Sequence, residues 1–270
     1  MPPDHNETRS QIQRTTFGYT IHSYQKISST NELAKEIAKK GVEEKTVVLA
    51  KTQTLGRGRT GRRWRSPRGG IWFSIILKPQ ITSEDTLKLT FIMSLTAARM
   101  LKDDFGLNAE VKWPNDVLVR GRKICGILTE ACTKMGNVKF VIIGVGINAN
   151  IDLQAFPENL RKNATSLKHE LGHSIDLKDF LMKLLRQFDD DYNRFQQGAW
   201  DFLLEEWKTL ASFLGKQVQV TSFGEVFTGK AVDVTESGSL KIRLRNGTFK
   251  EVVSGEFTMS QKYKRQNRAI

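Results

Sequence analysis

The stretch "AEVKWPNDVLVRGRKICGILTEA", residues 109–131, decides how the chain is built. Apolar and polar residues alternate on both sides of the turn formers Pro114-Asn115-Asp116, and again on both sides of Gly121-Arg122. A period of two marks a strand with one buried face. Proline, asparagine and glycine at those two places turn the chain back on itself. The stretch therefore predicts strand, turn, strand, hairpin, strand. Downstream, "NVKFVIIGVGINANI" (137–151) predicts another strand with a glycine-bearing end. Upstream, "YTIHSYQKI" (19–27), "TVVLAKTQ" (46–53) and "GIWFSIILKP" (70–79) read as further strands, the last two fully buried.

Helices interleave with these strands. "SSTNELAKEIAKKG" (28–41) has helical spacing at Leu33, Ala34, Ile37 and Ala38, with Ser29, Thr30 or Asn31 to cap its start and Gly41 to stop it. "SEDTLKLTFIMSLTAARMLKDDFG" (83–106) has the period of a long helix and is acidic at its start, as the helix dipole favours. Leu177 to Phe195 and Trp200 to Leu210 predict two more. The class is α+β, built on a mixed sheet. From Lys216 to Phe257 the character changes to four or five short alternating strands, with turns at Gly224, Ser237-Gly238 and Asn246-Gly247. This predicts a small barrel-like unit that leans on the larger one. The expected division is a frayed polar leader over 1–14, a main domain over 15–212, a small domain over 213–259 and a basic tail over 260–270.

With 270 residues, 39% hydrophobic and 26% charged, the chain has the composition of a globular protein. No apolar run is long enough for a membrane helix, and the N-terminus lacks the apolar centre of a signal peptide. A cytoplasmic, membrane-free protein is expected. The two cysteines, Cys125 and Cys132, read as reduced, buried thiols. A net charge of +13 favours a polyanionic partner without choosing among nucleic acid, phosphorylated ligand and acidic protein.

Four motifs bear on chemistry. "HELGH" (169–173) fits the zinc-protease pattern H-E-x-x-H, with Asp179 as a conceivable third ligand. Gly172 suits a helix interior poorly, and "HSIDLKDF" looks like a new helix start, so a helix end and a turn are expected there and no metal ligands are assigned. "GRGRTGRRWRSPRGG" (56–70) holds six arginines between Arg57 and Arg68, with no acid to balance them. Its glycines let backbone approach an anion, its guanidinium forks can clamp phosphate or carboxylate, and Trp64 can stack on a base. Taken alone this loop fits RNA, DNA or a nucleotide. Lys112 and Lys123 lie in apolar strand context on either side of Asn115-Asp116. A lysine so placed needs an anionic partner, and two of them point to a ligand site. Finally, "GVGINAN" (144–150) offers Asn148 and Asn150 at a glycine-spaced strand end, which fits a ligand edge or an ordinary tight turn.

In this order, "SSTN", "QTLGRGRTGRRW" with "SPRGGIWFSI", "KWPNDVLV", "RKICGIL" and "GVGINAN" resemble the biotin protein ligase family over about Tyr19 to Phe257. The resemblance implies a biotin/ATP-binding catalytic domain with a small SH3-like C-terminal β-barrel. It implies a two-step reaction in which biotin and ATP, with Mg²⁺, give biotinyl-5′-AMP and pyrophosphate, and the biotin then passes to a lysine of a biotin carboxyl carrier domain of a biotin-dependent carboxylase. Carried over by motif, Ser29, Thr30, Asn31, Gln53, Gly56, Arg57, Gly58, Arg59, Lys123 and Gly126 are the expected biotin contacts. Arg59, Arg62, Trp64, Lys112, Asn115, Lys123 and Asn148 are expected at ATP, and Lys123, Arg57, Lys112 and Asp116 carry the chemistry. Thr60, which replaces an arginine found in some members, is left out of the site. Arg63, Arg65 and Arg68 are expected to be solvated or drawn to the triphosphate. The family also admits a homodimer. Members that repress transcription carry a winged helix-turn-helix before "SSTN". Only 28 residues precede Ser29, so sequence-specific DNA binding is not expected. The rivals are a lipoate or octanoate ligase or transferase and a basic nucleic-acid-binding protein.

Overall fold

A computed structural model describes residues 9–135 and 137–259. Residues 1–8 of the expected leader and the expected tail over 260–270 lie outside them. Thirteen strands and six α-helices are found among the described residues. The larger sheet holds β1 (Arg9–Arg14), β2 (Thr20–Tyr24), β3 (Thr46–Ala50), β4 (Ile71–Leu77), β5 (Ala109–Lys112), β6 (Asp116–Val119), β7 (Arg122–Lys134) and β8 (Asn137–Ile147), in the spatial order β1-β2-β3-β4-β8-β7-β6-β5. The sheet is mixed because β2 and β3 run parallel, joined through helix α1 (Thr30–Lys39), while its other neighbours are antiparallel.

Both faces of the sheet are covered, which explains why its central strands are not alternating. All seven residues of β4 are buried. On one face Ala34 and Ala38 of α1 pack on Val48, Ile76 and Ile142. On the other, α2 (Thr86–Asp103), α5 (Leu177–Gln196) and α6 (Trp200–Thr209) pack on the sheet in the main core. Two short helices, α3 (Glu158–Arg161) and α4 (Leu167–Leu171), lie between β8 and α5. Among the three candidate caps of α1, Ser29 is the one whose side chain accepts from the Glu32 backbone.

Three sequence expectations change. Residues 9–14, read as leader, form β1 against β2, because backbone pairing at a sheet edge does not require apolar side chains. The hairpin between β6 and β7 turns at Arg120-Gly121, with φ of 50° and 72°, one residue earlier than Gly121-Arg122. Two consecutive positive φ values are what a two-residue hairpin turn demands. The third concerns the C-terminal sheet: β9 (Gln217–Ser222), β10 (Glu225–Val234), β11 (Leu240–Leu244), β12 (Phe249–Val252) and β13 (Glu256–Met259), in the order β12-β11-β10-β9-β13. The expected small β unit is present as an open sheet, and no closed barrel is found among the described residues. Only residues 253–255 separate β12 from β13 at its opposite edges. So short a link spans at most about 14 Å, so the sheet must curl until its edges approach. The link's Ser254 carbonyl is taken by the Ser222 hydroxyl, and β12 and β13 do not pair with each other.

This sheet shares the core of the larger one. Trp113 Nε1 donates to Gly238 O at 3.0 Å and Trp200 Nε1 to Glu236 O at 2.8 Å, while Phe213 packs edge-on to Phe257. No described helix is long and apolar enough to cross a membrane.

Candidate active site

One cleft of about 540 Å³ opens where the first turn of α1, the arginine loop, the starts of β6 and β7, the end of β8 and residues 255–258 meet. Its two halves are built differently.

The inner half is lined by uncharged side chains, nearly all of them hydrogen-bonded, with Glu130 at its border. Gln53 Oε1 accepts from the Thr30 backbone N–H at 2.8 Å and from Thr30 Oγ1 at 3.1 Å, and Gln53 Nε2 donates to Ser66 Oγ at 2.7 Å. Ser74 Oγ lies 2.8 Å from Thr30 Oγ1 and 2.6 Å from Asn31 Oδ1. Asn31 Nδ2 donates to Leu128 O and, at 2.7 Å, to Glu130 Oε2. Gly144 makes room for that amide, since a Cβ there would stand 1.9 Å from Asn31 Oδ1. Burial raises the Glu130 carboxyl, but hydrogen bonds from Asn31 and Lys35 and the charges of Lys35 and Arg57 together hold it below its ordinary value.

The outer half is charged. Lys123 Nζ sits 2.6 Å from Asp116 Oδ1 and 4.9 Å from the Trp64 ring centroid. The expected anionic partner of a strand lysine is thus Asp116. Lys112 Nζ lies 5.7 Å from the Phe257 ring. Arg59 donates to Asn115 Oδ1 at 3.2 Å and to Ser254 Oγ at 2.7 Å. Burial pulls its guanidinium below the usual value, opposed by the charge of Asp116. Trp64 packs against β7 and the end of β8, where side chains at Gly126 or Gly146 would collide with its ring at 2.8 and 2.5 Å. Two buried polar atoms here lack a partner: Trp64 Nε1, a donor, and Asn148 Oδ1, an acceptor. The Asn148 amide is oriented by its Nδ2, which donates to Thr165 O at 2.9 Å. An unpaired donor and acceptor in one cleft fit a flat ligand with both functions on its edge.

Of the residues singled out by sequence, Ser29, Thr30, Asn31, Gln53, Arg57, Gly58, Arg59, Arg62, Trp64, Lys112, Asn115, Asp116, Lys123, Gly126 and Asn148 all line this cleft. Gly56 does not. It lets the loop close on itself, since a Cβ there would stand 2.5 Å from Trp64 O. Thr60, set aside by sequence, lines the cleft, as do Arg63 and Arg65. Asn150 instead bonds Ile175 on both its amide atoms, and Arg68 is not part of the lining. The arginines are also less unbalanced than the loop suggests. Arg57 pairs with Glu32 and Glu130, and Arg62 with Glu256. Those acids come from α1, β7 and β13, too far along the chain for a local reading to find.

The first three residues of "HELGH" close α4, which is capped by Ser166 and ended by Gly172 at φ 80°. His173 lies beyond that end, and Asp179 belongs to the first turn of α5, where it pairs with Lys183. Glu170 is held by Arg122 at 2.6 Å. Among the described residues no three His, Cys, Asp or Glu side chains are grouped to hold a metal.

Residues 23–148 match the model of the biotin/lipoate A/B protein ligase family, and residues 213–260 that of the biotin protein ligase C-terminal domain. The chain is 32% identical over 255 residues to the bifunctional ligase/repressor BirA of Bacillus subtilis, covering 94% of this chain and 78% of that one. It is 31% identical over 226 residues to the biotin–acetyl-CoA-carboxylase ligase of Paracoccus denitrificans, covering 80% and 90%. Among solved structures, the biotin protein ligase of Aquifex aeolicus in complex with biotin and ATP superposes with a TM-score of 0.77 at 30% identity, over 89% of this chain and 98% of that one.

Proposed function

The chain belongs to the biotin protein ligase family, and on that premise we propose how its own residues carry a biotin ligation. It is an ATP-dependent ligase that makes biotinyl-5′-AMP and hands the biotin to a lysine of a biotin carboxyl carrier domain. The observation that carries this reading is the division of one cleft into a neutral, pre-bonded half and a cationic half.

The neutral half binds the ureido ring. Thr30, Asn31 and Gln53 present hydroxyl and amide groups already held by one another or by Ser66, Ser74 and Glu130, and the Ser29 hydroxyl is held as the cap of α1, so little ordering is left to be done on binding. In the first step a carboxylate oxygen of biotin attacks the α-phosphorus of ATP, and pyrophosphate leaves. Both reactants are anions, so the barrier is largely charge repulsion, and fixed cations lower it most. Lys123 meets the carboxylate and the α-phosphate, with Arg57 and Arg59 closing over them and Lys112 with Asn115 at the polyphosphate. Trp64 and Asn148 take the nucleotide through their unpaired edge groups. When Lys123 turns to the anhydride it leaves Asp116, and that carboxylate becomes available to the incoming carrier amine. The amine attacks the anhydride carbonyl, AMP leaves, and the amine proton is released toward Asp116.

The donor set fits Mg²⁺ only as an ion delivered on the nucleotide, since the two cleft carboxylates, Asp116 and Glu256, are paired with Lys123 and Arg62 and no all-protein cage is offered among the described residues. Held beside Asn115 and Asp116 on the nucleotide, Mg²⁺ would supply neutralisation of phosphate charge. The cysteine-dependent transferase chemistry finds no support. Burial pushes the Cys125 thiol up to about 12, Cys132 is half-buried at the edge of the smaller core rather than buried as expected, and neither cysteine lines the cleft. We place the protein in the cytoplasm, where ATP and reduced thiols occur together. The test is competition in an AMP-forming assay. Biotin should drive pyrophosphate release and lipoate should not. Equal or better turnover with lipoate would overturn the reading.

A further inference from the structure

The turn between β9 and β10 is Phe223-Gly224, with φ of 48° and 84°. Both positions demand the left-handed region, where asparagine or glycine sits without strain and a bulky residue is an outlier. Yet Phe223 occupies the first and is 95% exposed. The isolated chain gains nothing from that ring. It has two exposed apolar neighbours. Val226 (55% exposed) faces Thr221 across the hairpin, and Val253 (64% exposed) precedes Ser254, whose carbonyl accepts from Ser222 Oγ at 2.6 Å.

This tip borders the cleft. Thr221 pairs with Glu256, and Gly255 and Glu256 line the cleft, while Ser254 Oγ holds Arg59. Another exposed apolar turn residue, Met135, lies nine residues along the chain from Gly126, about 30 Å away, while Leu160, 41% exposed, lines the cleft from α3 without an exposed apolar sequence neighbour. An exposed tip is therefore not the signal by itself. Position at the cleft mouth and a cluster of three residues are. Exposed Arg63 and Arg65 also line the cleft, and Arg62 joins them. The mouth thus presents an apolar lip beside a basic rim.

Resting on the ligase reading, we propose that Phe223, Val226 and Val253 are the docking lip for the carrier domain. They seat an apolar, acid-flanked surface around its target lysine and direct that amine past Arg59 toward Lys123. Any macromolecule that brings an amine to Lys123 must cross this mouth, and its charge must suit the arginines.

Phe223→Asn relieves the backbone and removes the ring, so the variant should fold at least as stably as the parent. With the biotin carboxyl carrier domain of an acetyl-CoA carboxylase as acceptor, its KM for the carrier should rise about tenfold. Biotin-dependent pyrophosphate exchange should stay unchanged, and Phe223→Tyr should retain the parent KM. Unchanged carrier KM in Phe223→Asn, with normal exchange, would overturn the docking lip while leaving the ligase reading intact. A parent chain without biotin-dependent exchange would remove the ligase reading and this proposal with it.

Discussion

The two halves of the cleft solve different problems. Around Thr30, Gln53, Ser74 and Asn31 nearly every polar atom has a partner, and the partners lie on α1, β4, β7 and the loop after β3. Around Trp64, Lys123 and Asn148 the groups are charged or unpaired, and the ion pairs that exist are ones a ligand anion can displace. A neutral ring is recognised by geometry set in advance. A polyanion is recognised by charge, which tolerates rearrangement. The first half should therefore be fragile to shape and the second to charge.

The largest effect is expected from charge. Lys123→Ala should lower biotin-dependent pyrophosphate exchange by about 10²–10³-fold while leaving unfolding close to the parent. Exchange within a few-fold of the parent would break the division. Next comes shape. Gly144→Ala sets a methyl against Asn31 Oδ1, where the space is 1.9 Å. Such overpacking typically costs about 1–3 kcal/mol, and it should appear in denaturant unfolding together with weakened biotin binding in calorimetry. The smallest effect sharpens the boundary between the halves at Glu130, which binds Asn31 on one side and Lys35 and Arg57 on the other. Its folded-state pKa is depressed, so the stability it contributes is present above the unfolded value of about 4.3 and is lost as pH falls through the lower folded value. Glu130→Gln keeps the bond to Asn31 and removes the charge. It should flatten the loss of stability on acidification, measured by denaturant titration at neutral and acid pH. An unchanged acid slope would show that Glu130 is not the group responsible.

Much of this was legible in the sequence, for identifiable reasons. Strands such as β3, β4 and β8 announce themselves because their apolar runs are buried on both faces. Lys123 asked for an anion, and Asp116 supplies it. What escaped was non-local. β1 is polar and pairs through backbone alone. The acids that hold Arg57 and Arg62 lie 25 to 194 residues away in the chain. The space for Asn31 is an absence of side chain at Gly144, which reads in the sequence only as a glycine in a strand. The edges of the C-terminal sheet approach without joining, and strand spacing cannot distinguish that from a barrel.

The arginine loop shows how context decides. Six arginines suggest a polynucleotide when read locally. In the fold Arg57, Arg59 and Arg62 are tied to Glu32, Asn115, Ser254 and Glu256, and they line a cleft of small-molecule size.

The most direct measurement is the mass of a biotin carboxyl carrier domain after incubation with this protein, biotin and Mg-ATP. The account predicts a gain of one biotin on one lysine, dependent on both substrates. A carrier of unchanged mass, under conditions where its target lysine is accessible to another biotin ligase, would contradict it.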